Sequence, residues 1–376
     1  MPWLILQRTN SAFDVGLLVF LRYIPFLIGG VYGGVVADRS DNRRVLLLTQ
    51  GVEMLVAAGI SVAAFMDTSP TWIIYTLAAL SGSVLIFDNP SKYALIYQLV
   101  PRASLPDAVT QNAGLQNAAR VVGPALGGLL IVTVGVGWCF VIDSLSFLAV
   151  IVALRKMRIG ELFPLERAFS PRGFSAVASA LRHVRSSAVA QAVLAISFVS
   201  GLFGFTAVRT LLPVLASVTL KGGADVFGAL FAAYGLGAVI GAIVGGRILR
   251  RRKWAFLIGA AIFNAALLGL AGVHQFAVAL VVLLVVGVGW TAWSAQAMVA
   301  LQNVVSDSLR GRMTSLYTYT LLAGAPFGGL LAGWLAHVAG TELAFAVSGL
   351  AGLLVTALAV LRIRLAQWRA EQAADV

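Results

Sequence analysis

A single cysteine, Cys139, rules out an internal disulfide and any cysteine-cluster metal site. The three histidines, His183, His274 and His337, stand far apart without ligand spacing, so no metal is expected. Charge is scarce: Asp, Glu, Lys and Arg make up 11% of the chain, against about 25% in soluble domains. No G-x-x-x-x-G-K-[ST] phosphate loop, G-x-S-x-G elbow or H-E-x-x-H pair occurs. These absences argue against an ATP-driven machine and against an enzyme, and they imply no cofactor.

What the chain has is apolar surface. Of its 376 residues 60% are hydrophobic, and mean hydropathy is +0.92. A soluble core could not hide that much apolar area, so the solvent must be lipid. A helix needs about 20 apolar residues to cross a bilayer. Eleven runs qualify: 13–37, 45–66, 71–99, 109–135, 138–157, 188–215, 224–249, 254–272, 276–300, 313–338 and 342–362. They are too long, and too poor in alternation, for membrane strands. The opening "MPWLILQ" reads as the end of a further span.

Links between the runs are short except at 158–187, which carries Arg158, Arg167, Arg172, Arg182 and Arg185. This link leaves five spans before it and six after. Within it, 174–185 places Val177, Ala180, Leu181 and Val184 on one face, as suits a helix lying on the membrane surface or a plain helical linker. The expected divisions are an N-terminal bundle over 1–157, the link at 158–187, a C-terminal bundle over 188–362 and a tail at 363–376.

Arginine and lysine set the orientation. If loop 38–44 is cytoplasmic, alternation places 155–185, 247–253, 310–312 and 362–369 on the same side. These five regions hold 3, 7, 5, 2 and 3 Lys or Arg residues, 20 of the 27 in the chain. Only Arg8 and Lys221 belong to the other side. The asymmetry explains the net charge of +12 without nucleic acid.

The two halves repeat. Gly123-Pro124-Ala125-Leu126-Gly127-Gly128 matches Gly324-Ala325-Pro326-Phe327-Gly328-Gly329, and Gly33-Gly34 with Arg39 and Arg43 matches Gly245-Gly246 with Arg250 to Arg252. Two homologous bundles imply an interface, and secondary transporters bind substrate at such an interface. Gly34…Asp38-Arg39-Ser40-Asp41-Asn42-Arg43-Arg44 resembles the loop signature of the major facilitator superfamily. It departs at Asp41, where glycine is usual, and at Asn42, where a basic residue is usual. Gly123-Pro124-x-x-Gly127-Gly128 is similar to the fifth-helix motif of that superfamily's antiporters. "NPSKYALIYQLVP" (89–101), "NAARVVGPALGG" (117–128) and "SDSLRGRMTSLY" (306–317) resemble its bacterial exporter branch, which includes enterobactin and macrolide efflux proteins. Lys92 stands where that branch usually has arginine.

The resemblance implies an all-α polytopic protein of two pseudo-symmetric bundles, here 11 complete transmembrane helices plus the end of a first one. It also implies a proton-driven exporter of small amphipathic molecules in the bacterial inner membrane, monomeric, with a cytoplasmic C-terminus. The alternatives are uptake, which the antiporter-like motif opposes, and a truncated non-transporting protein, which the short first segment favours.

The residues give this physical content. Gly29 with Gly33, and Gly30 with Gly34, form bare strips for close helix approach. Asp38 continues the second strip and could pair with a basic residue or a helix N-terminus in one state only, making loop 38–44 a gate; the plainer reading is a charge cluster that fixes topology. Asn112, Gln116, Arg120, Gly123 and Gly127 share one arc of a helix and should border a cavity or another helix. Arg120, deep in its span, needs a partner. Pro124 could bend that helix. Glu53, Asp88 and Asp143 are the carboxylates within spans and the candidates for carrying a proton or pairing with Arg22 or Arg120. Asp88-Asn89-Pro90 could simply mark the inner end of its helix. Tyr75, Trp290, Trp293, Tyr317 and Tyr319 could meet a flat substrate or serve packing alone.

Overall fold

A computed structural model describes residues 1–66, 68–101, 104–163, 184–247, 254–305 and 307–374. Among them every regular element is helical. A short helix α1 (Pro2–Thr9) ends at Asn10, whose φ of 52° turns the chain into the next helix. Then come α2 (Ala12–Arg39), α3 (Asn42–Phe65), α4 (Thr71–Leu99) and α5 (Leu105–Lys156). The second half comprises α6 (Ala188–Thr219), α7 (Ala224–Arg247), α8 (Ala255–Gly269), α9 (Phe276–Asn303), α10 (Asp307–Ala323) and α11 (Ala325–Ala374). The amphipathic segment 174–185 falls almost wholly outside the described residues.

Polar side chains cap three of these helices, α2, α3 and α6. Ser11 accepts from the Asp14 amide at 3.3 Å, and Ser187 from the Ala190 amide at 3.2 Å. Each satisfies a donor that the first helical turn leaves open. Among the described residues nine stretches are long and apolar enough to span a bilayer. Two of them turn a corner at a glycine: α5 at Gly135 (φ 84°) and α11 at Gly340 (φ 86°). Only glycine takes such a φ without strain. Each long helix is thus two spans meeting at a bend, and α10 with the first arm of α11 forms one span. The crossings among the described residues number eleven, at the positions the hydropathy pattern indicates. The bend in α5 lies at Gly135; the backbone stays helical through Pro124. Past position 362, α11 continues as helix to Ala374.

Two groups of helices result. In the first, α2 lies along α4, and Gly33 and Gly82 let the chains approach to backbone contact with Ile86 and Arg22. The Gly29–Gly33 strip is therefore a packing surface against α4. In the second, α9 packs between α7 and α8. The core holds Ile5, Leu18, Ile60, Ile74, Leu211, Phe263, Trp293 and Phe345, each at most 1% exposed. The outer surface is as apolar as the core: Leu350, Leu354, Leu358 and Leu361 run down one face of α11, all more than half exposed. Only lipid tails accept such a stripe over several turns.

Candidate functional site

A cavity of about 560 Å³ lies between the two groups. The first group lines it with Arg22 and Tyr23 from α2, Gln50 and Glu53 from α3, Asp88 and Lys92 from α4, and Asp143 from the second arm of α5. The second group lines it with Val208, Arg209 and Leu212 from α6 and Phe227 and Phe231 from α7. Three carboxylates and three cations therefore face one space inside a hydrophobic protein. Charges there require partners or water, because lipid supplies neither.

Asp88 is the best satisfied. It is buried, pairs with Lys92 Nζ at 2.5 Å, and accepts from Thr49 Oγ1 at 3.0 Å and Gln50 Nε2 at 2.8 Å. It sits well inside α4, which runs on through Pro90 to Leu99. The reading of Asp88 as a helix end therefore gives way to a buried carboxylate whose bonds from Thr49 and Gln50 tie α3 to α4. Glu53 accepts from Ser81 Oγ at 2.9 and 3.0 Å. Arg22 lines the same cavity as Glu53 and Asp143. Among the described residues, no ion pair within 4 Å joins them, and the Arg22 guanidinium instead meets Met1 Sδ at 3.4 Å. Glu53 and Asp143 thus share the cavity with a cation without being locked to it.

The two ends of the cavity differ. Away from the basic loops, the groups touch through glycine. A Cβ on Gly128 (α5) would stand 2.5 Å from the Gly228 carbonyl oxygen (α7), and one on Gly228 would stand 2.7 Å from that of Gly128. Across the cavity, a Cβ on Gly16 (α2) would stand 2.5 Å from the Gly329 carbonyl oxygen (α11), and one on Gly333 would stand 2.6 Å from that of Ala12. Backbone meets backbone at both crossings, so any side chain would force the groups apart. Phe20 packs edge-on against Phe327 beside the second crossing, and Trp3 stacks on Phe227 at 5.1 Å.

The repeat relates the two crossings. Gly33 and Gly245 are 212 positions apart, and so are Gly16 and Gly228. Gly128 already pairs with Gly329 in the motif match. Sequence reasoning noted Gly128 and Gly329 but missed Gly16, Gly228 and Gly333; extending the repeat's register would have found Gly16 and Gly228.

At the basic end the arrangement is looser. Tyr319 of α10 donates to the Leu27 carbonyl at 3.1 Å and packs near Phe26. Gly30 has Tyr319 within 3.6 Å of its Cβ position, but Gly34, one turn on, has nothing within 4 Å. Asp38 continues that row and is exposed. Gly123 and Gly127 also have nothing within 4 Å. The side chains of Arg120 and Pro124 lie outside the described residues. Asn112 and Gln116 are half-buried on the same arm, outside the ring that lines the cavity.

The loop itself is rigidly capped. Asp41 accepts from the Arg43 and Arg44 amides at 3.0 and 3.3 Å and pairs with Arg44 Nε at 3.1 Å. This N-cap accounts for an aspartate where the signature has glycine. Arg43 donates to the Leu154 and Arg155 carbonyls at 2.6 and 3.1 Å, tying the loop to the end of α5. That placement suits the negative end of a helix. Arg39 is exposed. Asn42 is buried, and neither polar atom of its side chain has a hydrogen-bond partner among the described residues.

Of the five aromatic candidates, Tyr75 donates to Asp14 Oδ1 at 2.8 Å and Trp293 is fully buried. Trp290 stacks on Phe205 at 5.7 Å. Arg209 carries no sequence signal of its own. It is the one cation of α6, and its place beside Phe205 depends on a local helix geometry that periodicity does not reveal.

Two bundles around a central charged cavity, closed tightly at one end, are the architecture of a membrane transporter. Solved structures of that architecture superpose well: a D-xylose–proton symporter at a TM-score of 0.72, with 16% identity over 93% of this chain and 87% of that one. A bacterial homologue of the human lysosomal transporter Spinster also gives 0.72, with 14% identity over 96% and 91%. The fold is that of the major facilitator superfamily. The profile of the transmembrane secretion effector family matches residues 1–376, and the chain belongs to that family. Its relatives include the enterobactin exporter EntS of Salmonella typhi, 28% identical over 96% of this chain and 86% of that protein. The staphyloferrin A transporter of Staphylococcus aureus is 24% identical over 94% and 88%.

Proposed function

We propose that this transporter exports a small amphipathic metabolite of the siderophore type across the bacterial inner membrane, in exchange for protons and as a monomer. The observation that carries this reading is the charged cavity between two bundles that are sealed at one end only. The bundles, 1–157 and 188–362, rock about the cavity, joined by 158–187. The lysine and arginine asymmetry makes the basic end cytoplasmic, together with the tail 363–376. The structure then corresponds to an inward-facing state, open to load substrate from the cell. In the opposite state the empty strip of Gly34, Gly123 and Gly127 closes, and Asp38 meets the second bundle. Glu53 and Asp143 are the proton carriers this reading favours, because each can lose its charge without breaking an ion pair. The relatives' substrates, enterobactin and staphyloferrin A, support the substrate type.

Everted vesicles containing the protein should accumulate a siderophore when energised and lose it on adding a protonophore. Absence of accumulation across a panel of siderophores and amphipathic drugs would defeat the export reading.

A further inference from the structure

We infer that Arg209 is the anchor for an anionic group borne on an aromatic ring of the transported molecule, such as an aryl carboxylate. This deepens the export reading and rests on it for the word "transported"; the binding itself does not.

The local backbone sets Arg209 apart. Ser200–Phe205 is π-helical, a wide turn that adds a residue and rotates the helix beyond it. Such turns concentrate at functional sites. After it, Ala207, Val208, Thr210, Leu211 and Leu212 are all buried, and Arg209 alone is exposed, facing the cavity.

Its direct contacts are neutral. Nη1 meets Tyr23 Oη at 3.3 Å, and the guanidinium lies 4.6 Å from the centre of the Phe205 ring. Among the described residues no carboxylate lies within ion-pair distance. Glu53 accepts from Ser81, and Asp88 is taken by Lys92. A guanidinium this deep, with one long hydrogen bond and a ring, leaves most of its five donors open. It presents a planar fork that fits a carboxylate.

Aromatic side chains are plentiful here, and Tyr23, Phe227 and Phe231 line the cavity itself. Phe205 stacks on Trp290, and Tyr23 meets Phe205 edge-on at 6.1 Å. On α7, Phe227 and Phe231 stack at 5.8 Å with rings 19° apart, and both line the cavity. An anion on an aromatic ring satisfies the fork and the walls together. Tyr23 belongs to the first bundle and Arg209 to the second. A carboxylate that takes over the guanidinium therefore replaces a contact between bundles with one to substrate.

Titration of the purified protein in nanodiscs, read by tryptophan fluorescence, tests this with three probes: 2-naphthoate, 2-naphthamide and cyclohexanecarboxylate. Naphthoate should bind at least tenfold more tightly than either the neutral or the non-aromatic probe. Arg209→Gln should remove that preference, and Arg209→Lys should restore part of it, with size-exclusion profiles unchanged. Equal affinity for naphthoate and naphthamide, or full naphthoate affinity in a folded Arg209→Gln protein, would overturn the inference. If Arg209→Gln does not fold, Phe205→Leu takes its place, and unchanged discrimination there counts against the aromatic half. A vesicle experiment showing export with no such preference would sink the anchor alone. Binding as described with no export in vesicles would sink the transport reading alone.

Discussion

Adding one methyl group at Gly128 should loosen the closed end of the cavity. The new Cβ would stand 2.5 Å from the Gly228 carbonyl oxygen and 2.9 Å from its Cα. Ordinary contact begins at 3.4 Å, so α5 and α7 must separate by roughly 0.9 Å. Neither neighbour is a side chain that could turn aside. Overpacking of this kind costs about 1–3 kcal/mol, and it falls only on the state in which the two glycines touch. With a tenfold change for every ~1.4 kcal/mol, the ratio of sealed to opened molecules should fall by about five- to 150-fold. Spin labels at Thr133 and Lys221, in a Cys139→Ser background, report the separation at that end. Pulsed EPR should show a longer-distance population in Gly128→Ala and in Gly228→Ala. Gly51→Ala on α3 makes the same backbone change where nothing lies within 4 Å and outside the strip that closes, so it should keep the parent distribution. If both crossing variants also keep it, the glycine contacts do not hold the end closed.

The charged residues give two further tests. Asp38→Asn should slow transport in vesicles about tenfold or more, the scale of one charge-assisted contact, while membrane insertion stays normal; parental transport would reduce the loop to a topology signal. Lys92→Ala removes the counter-ion of the buried Asp88 carboxylate, which keeps its bonds from Thr49 and Gln50, and should lower the melting temperature in detergent by the equivalent of about 1–3 kcal/mol. Adding Asp88→Ala should recover much of that loss, and simple additivity of the two changes would contradict the pairing.

Much of the fold was legible because a bilayer imposes a coarse rule. Runs of twenty apolar residues gave the eleven crossings. The corners were harder. Gly135 and Gly340 are two among 39 glycines, and nothing local marks them as the ones that take a positive φ. Pro124 drew attention as a bend, but a proline within a packed helix can leave the path nearly straight. Motif residues in the loop were legible as a group, though their division of labour was not. Asp41 caps a helix and Arg43 binds a distant helix end, and only the packing of α3 beside α5 places those carbonyls within reach. Asp88 read as a punctuation mark because Asn89-Pro90 come directly after it; the partners Thr49 and Gln50 belong to another helix. Arg209 escaped notice because its significance lies in what is absent around it, a carboxylate, and sequence does not display that.

Proton flux in proteoliposomes tests the account most directly. With purified protein, an imposed pH gradient and a pH-sensitive dye, adding a transported siderophore should release protons in the direction opposite to its movement. Replacing both Glu53 and Asp143 with their amides should abolish that release. Substrate movement with no accompanying proton movement, or full proton release in the doubly substituted protein, would contradict the exchange mechanism.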